Sequence, residues 1–147
     1  MPRWSGFFAN LTGALRDLLI QMFATFLTAA GAAAILRDPA DGLLPSLLLL
    51  AGGLALTAVP VTLAVRGTYV MGVRGFGSID LEVSTVSVPY FVLDLGWVVF
   101  GASWLHASLT DPSAPPDPYV DLGGPATILT IEAVLLGLRI RSRLRDR

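Results

Sequence analysis

The chain has 147 residues, of which 54% are hydrophobic and only 14% charged, and its mean hydropathy is +0.69. Soluble domains carry about 25% charged residues, so this composition points to a single integral membrane domain over 1–147 with no separate soluble unit. Cysteine is absent, which excludes disulfides, thiolate metal sites and dithiol redox chemistry.

Residues 3–17 open the chain. Trp4, Phe7, Phe8, Leu11 and Leu15 fall at helical spacing between Arg3 and Arg16, the pattern of an amphipathic segment lying in the membrane interface. Residues 18–36 form the first predicted span. Ala29 and Ala33 give it small-xxx-small spacing for close helix contact. Ala32-Ala33-Ala34 also fits a signal-peptide cleavage site, but the apolar run is too long and is preceded by seventeen residues that include Asp17. A retained helix is the better reading.

Arg37 to Gly42 (RDPADG) is a turn, because Pro39 and Gly42 interrupt any continuous helix. The second span, 43–65, holds no charge until Arg66. Some twenty apolar residues at 1.5 Å rise cross the roughly 30 Å hydrocarbon core. Pro60 is expected to kink it, and Gly52, Gly53 and Ala55 to allow close packing.

Between Arg66 and Val88, Ile79, Leu81 and Val83 alternate with Asp80, Glu82 and Ser84. That period of two favours a strand, with Thr68 to Val73 as its hairpin partner across Arg74-Gly75-Phe76-Gly77. An irregular loop is the alternative. The glycines here match no phosphate-binding fingerprint. The third span, 89–107, enters at Pro89, a helix-start position that tolerates proline. An acidic, proline-rich loop without arginine follows over 108–124, then a fourth span at 125–138. The tail 139–147 holds five arginines. The two far-side turns, Asp38 to Pro45 and Asp117 to Pro125, align with one insertion, as a duplicated hairpin or as the shared chemistry of turns.

Every basic residue is arginine, a bias usual in high-GC genomes and in halophiles, from which no function follows. With four spans the termini share a side. That side carries Arg3, Arg16, Arg66, Arg74 and the five tail arginines, against Arg37 alone on the other. The positive-inside rule then places both termini in the cytoplasm, with the tail against anionic headgroups at about 1 kcal/mol per arginine. The predicted fold is an all-α, four-transmembrane-helix up-down bundle, multi-pass in the cell membrane.

Charged residues inside spans are functional candidates by default. Asp94 lies about six residues into the third span and Glu132 about six from the end of the fourth. The helices run in opposite directions, so both carboxyls fall at similar depth, about 9 Å inside one edge, with Gln21 of the first span a little shallower. Tyr90, Asp94, Trp97, Gly101 and Trp104 share one face of the third helix. Two carboxylates in one desolvated site suit reversible binding of a proton or cation, so Asp94, Glu132, Gln21 and Tyr90 form the candidate ion site. The structural reading, which is the preferred one, pairs Asp94 with Tyr90 or a helix neighbour, and Glu132 with Arg139 or Arg66.

The single histidine, His106, has no acidic residue at ligand spacing, which argues against a metal site. No hydrolase, kinase or nucleotide motif is present, and no cofactor is implied. The arginine tail reads as a topology signal rather than a nucleic-acid site. The expected partners are therefore the bilayer and either a second copy or another membrane protein. The leading expectation is a non-catalytic accessory or scaffold subunit. The alternative is an oligomeric proton- or cation-coupled transporter or channel working through its embedded carboxylates.

Overall fold

A computed structural model describes residues 3–40, 42–75, 77–111 and 117–147. Asp41, Phe76 and the centre of the acidic loop lie outside these residues, as do the side chains over 3–5 and 73–79, Arg3, Trp4, Arg74 and Ile79 among them. The chain folds as α1 (Arg3–Arg37), α2 (Leu43–Arg66), β1 (Thr68–Gly75), β2 (Gly77–Ser84), α3 (Val88–Thr110) and α4 (Gly123–Arg145). A π-helical turn, Pro118–Leu122, leads into α4. Among the described residues, four helices are long and apolar enough to cross a membrane. The chain termini and the hairpin sit at one end of the bundle, and the α1–α2 turn and the π-helical turn sit at the other.

The first helix differs from the expected division into an interfacial segment at 3–17 and a span at 18–36. It runs unbroken for 35 residues, about 52 Å at helical rise against a hydrocarbon core of about 30 Å. No proline interrupts residues 3–37, and the stretch from Ala9 to Ala14 rests on protein. Ala9 and Ala14 are buried, and Ala14 packs with Met71, Val83 and Tyr90. A Cβ on Gly13 would stand 2.6 Å from Val83 Cγ1 and 2.7 Å from the Tyr69 hydroxyl, so the hairpin lies directly on this part of α1.

The segment between α2 and α3 is a hairpin, antiparallel in register from Thr68 opposite Ser84 to Gly75 opposite Gly77. Its period of two decides its faces. Tyr69, Met71, Leu81 and Val83 turn toward the bundle, while Val70, Asp80 and Glu82 are exposed. Gly67 supplies the entry, with φ of 80°, a conformation that favours glycine. Its N–H donates to the Leu63 carbonyl at 3.0 Å, closing α2.

Helix contacts are made by the smallest residues. A Cβ on Gly31 would meet the Leu50 backbone nitrogen at 2.6 Å, and one on Gly53 the Thr28 backbone nitrogen at 2.5 Å. α1 and α2 thus touch backbone to backbone, as small-residue membrane interfaces do. Of the residues expected to mediate this contact, Gly53 does so, whereas Ala29 lines a crevice facing α3. Gly101 meets Ile128 and Gly124 meets Trp104 in the same way across α3 and α4. Large apolar residues point outward: Phe23, Phe26, Leu48, Val92 and Val99 are exposed on the protein surface. Lipid tails are as apolar as these side chains, so little drives them inward.

The basic tail also differs from expectation. α4 continues to Arg145, and Ile128, Glu132, Leu135, Arg139 and Ser142 form its buried stripe. That spacing of three and four carries one helix face past the apolar run. Arg139 is therefore interior, while Arg141, Arg143, Arg145 and Arg147 are exposed.

Candidate functional site

At the hairpin end the three helices α1, α3 and α4 enclose a polar cluster around Arg139, whose side chain is fully buried. Its Nε donates to Asp94 Oδ2 at 2.7 Å, and its Nη2 to Asp17 Oδ2 at 2.8 Å. Nη1 donates to the Thr85 carbonyl at 3.2 Å. The Thr85 hydroxyl, in turn, donates to the Gly67 carbonyl at 3.0 Å. The guanidinium also lies 4.6 Å from the centre of the Tyr90 ring, a cation–π distance. The Tyr90 and Tyr69 hydroxyls are 2.8 Å apart, joining α3 to the hairpin. Gln21 bridges the two acids, with Nε2 at 3.2 Å from Asp17 Oδ2 and 3.5 Å from Asp94 Oδ1.

Each position follows from local helix geometry. Asp17, Gln21 and Thr25 recur every four residues along one face of α1, and Tyr90, Asp94 and Trp97 share one face of α3. A planar guanidinium with donors on three edges is suited to hold two carboxylates and a carbonyl at once. Buried charges persist when paired in this manner and are costly to leave single.

Glu132 is different. It is fully buried, and neither of its carboxylate oxygens accepts a hydrogen bond from any described residue. It lies two turns from Arg139 along α4, about 10 Å at helical rise, and its electrostatic neighbours are Asp94, Arg139 and Asp17. Three buried carboxyls therefore face one guanidinium. Asp17 Oδ1, Gln21 Oε1, Thr25 Oγ1 and Trp97 Nε1 are also buried with no hydrogen-bond partner among the described residues.

Of the four residues picked out by sequence, Gln21, Tyr90 and Asp94 come together through Arg139. Glu132 joins their electrostatic environment but not their hydrogen-bond network. Asp94 pairs with Arg139 rather than Tyr90, and Glu132 pairs with neither Arg139 nor Arg66. Sequence reasoning missed Asp17 and Arg139 as site residues because both sit just beyond an apolar run. The fourfold spacing of Asp17 and Gln21, and the stripe ending at Ser142, carry the signal that finds them.

The opposite end holds a separate, more exposed set. Arg37 and Asp117 form an ion pair with both side chains about half exposed. The Trp104 Nε1 donates to Asp121 Oδ1 at 3.4 Å, and Asp121 Oδ2 accepts from the Asp117 N–H at 2.9 Å. His106 is exposed, and among the described residues no three His, Cys, Asp or Glu side chains converge on a metal position. Comparison with family models, with curated proteins and with solved structures finds no match, so the chemistry of the site is read from its own geometry.

Proposed function

We propose that this chain is a small, non-enzymatic, multi-pass membrane protein that binds and releases a proton or monovalent cation at Glu132, as the coupling site of an oligomeric transporter or channel. The observation that carries the reading is the Glu132 carboxyl, fully buried and without a hydrogen-bond partner among the described residues, beside an Arg139 already committed to Asp17 and Asp94. An unpaired carboxylate at this depth costs several kcal/mol. A proton or a cation relieves that cost reversibly, which is what a coupling site does. The arginine asymmetry supports a cytoplasmic hairpin end and cytoplasmic termini. Four helices are too few to enclose a pathway, so the working unit is at least a dimer.

The test is proton and sodium flux in proteoliposomes, with Glu132→Gln beside the wild type. Flux that vanishes in the variant while folding and assembly are unchanged supports the reading. Wild-type protein that assembles but passes neither ion sinks it, and leaves the accessory-subunit reading. That second reading is favoured by α2, whose Leu44, Leu48 and Leu54 present an exposed apolar face to lipid, a partner or another copy.

A further inference from the structure

Three contacts define the seam between the antiparallel helices α3 and α4. A Cβ on Gly124 would meet the Trp104 ring at 2.5 Å, and one on Gly101 would meet Ile128 Cγ2 at 2.8 Å. Nearer the hairpin end, Asp94 accepts from Arg139 Nε at 2.7 Å. Between the last two contacts lies one further rung. Trp97 stands four residues before Gly101, and Glu132 four residues after Ile128. Both therefore step about one turn, some 6 Å, toward the hairpin end on the faces that already touch. On that rung Trp97 Nε1 is buried without an acceptor, and both Glu132 carboxyl oxygens are buried without a donor, among the described residues. The Trp97 ring borders the crevice shared with α1 and stacks on Phe100, with centroids 5.0 Å apart and planes within 3°. Its Nε1 is nevertheless buried, so the N–H does not open into that crevice.

We infer that Glu132 carries a proton rather than a metal cation, and that the Trp97 N–H is the donor its carboxylate turns to when the proton leaves. The inference rests on the Glu132 reading and names the substrate of that site. An indole nitrogen donates and does not accept. It stabilises a bare carboxylate and cannot ligate a cation. A dehydrated metal ion needs a shell of oxygens in place of its water, and among the described residues no three His, Cys, Asp or Glu side chains converge on such a position. The charged groups around Glu132 are Asp94 on α3, Asp17 on α1 and Arg139 on its own helix. Arg139 is already the shared cation of Asp17 and Asp94, and Gln21 is bonded to both of those acids. On α1, Thr25 adds one unpartnered hydroxyl oxygen, too few for a shell. On release, the Glu132 O–H bond breaks, its electron pair stays on the carboxylate, and the proton passes to water. Rotation of the Glu132 side chain then brings an oxygen to the indole N–H. Nothing is oxidised and no other covalent bond changes.

The test is an infrared pH titration of the full chain in nanodiscs, with the Glu132 C=O stretch identified by its loss in Glu132→Gln. Sodium is varied against choline at constant ionic strength. The midpoint is expected to be the same at every sodium concentration. Ultraviolet resonance Raman follows the indole N–H in parallel, the Trp97 share being the difference from Trp97→Phe. That band is expected to move to its hydrogen-bonded position across the Glu132 titration, and to stay still in Glu132→Gln. Trp97→Phe keeps the ring and removes the donor, so Glu132 is expected to hold its proton about tenfold more tightly, as the loss of a hydrogen bond to a charged group requires. A midpoint that falls by about one unit per tenfold rise in sodium, or sodium flux that requires Glu132, overturns the choice of proton while the coupling site stands. A Trp97 band that is unchanged across the titration overturns the assignment of the donor. A Glu132 carboxyl that never titrates overturns the coupling-site reading and this inference together.

Discussion

Replacing Arg139 with Met keeps most of the side-chain volume and removes the charge that holds the hairpin end together. The guanidinium donates to Asp94 at 2.7 Å, to Asp17 at 2.8 Å and to the Thr85 carbonyl at 3.2 Å, with all three ionic side chains at most 3% exposed. Breaking a buried pair by deleting one partner costs about 3–5 kcal/mol, because the remaining charge is left uncompensated. Here two carboxylates are left, so the upper half of that range applies, roughly three decades in the unfolding equilibrium. Reversible unfolding in mixed micelles, followed by circular dichroism, measures it. The triple variant Arg139→Met with Asp17→Asn and Asp94→Asn leaves no stranded charge and is expected to recover most of the loss. An Arg139→Met protein within about 1 kcal/mol of wild type, or a triple variant no better than the single one, would refute the assignment of Arg139 as the shared cation.

Three further outcomes follow from packing and topology. Gly53→Leu places a side chain where a Cβ already meets the Thr28 backbone at 2.5 Å; separating α1 from α2 is expected to cost about 1–3 kcal/mol or more in the same unfolding assay. Tyr69→Phe removes the 2.8 Å bond between the two tyrosine hydroxyls, a loss of about 1 kcal/mol that hydrogen exchange should localise to the hairpin. Because the chain has no cysteine, single substitutions report sidedness without background. Asp111→Cys is expected to react with an impermeant maleimide added to whole cells, and Arg143→Cys only after lysis; the reverse pattern overturns the cytoplasmic placement of the termini.

The spans were legible because an uncharged apolar run of twenty residues suits a bilayer and little else, and the hairpin because Leu81 and Val83 alternate with Asp80 and Glu82. Tyr90, Asp94, Trp97, Gly101 and Trp104 share one face by arithmetic alone, and that face does turn inward. What failed was the inference from a charge to a boundary. Asp17 and Arg139 each ended an apolar run in the sequence, yet each is buried because its partner arrives from another helix. Read linearly, the chain shows each as part of a helix face, through the Asp17–Gln21 spacing and the stripe ending at Ser142, but not which residue meets it across the bundle. The small-residue contact was legible as a run but not to the residue. Within 29–34, Ala33 is buried and Gly31 meets the α2 backbone, whereas Ala29, two residues and about 200° from Gly31, lines the crevice. Only the position of α2 decides between them.

The distance along the chain between Asp17 and Arg139, 122 residues, sets an order of events during synthesis. Asp17 and Asp94 leave the ribosome long before their common cation exists, so both enter the bilayer as unmatched acids beside Gln21. The hairpin, residues 68–84, is made between these two acids, and the Thr85 carbonyl that follows it waits for the same donor. Only when the last helix inserts does one side chain join α1, α3 and the hairpin at a stroke. The shared pairing is thus completed by the final segment, and a nascent chain halted before residue 139 carries both acids without the cation that pairs them.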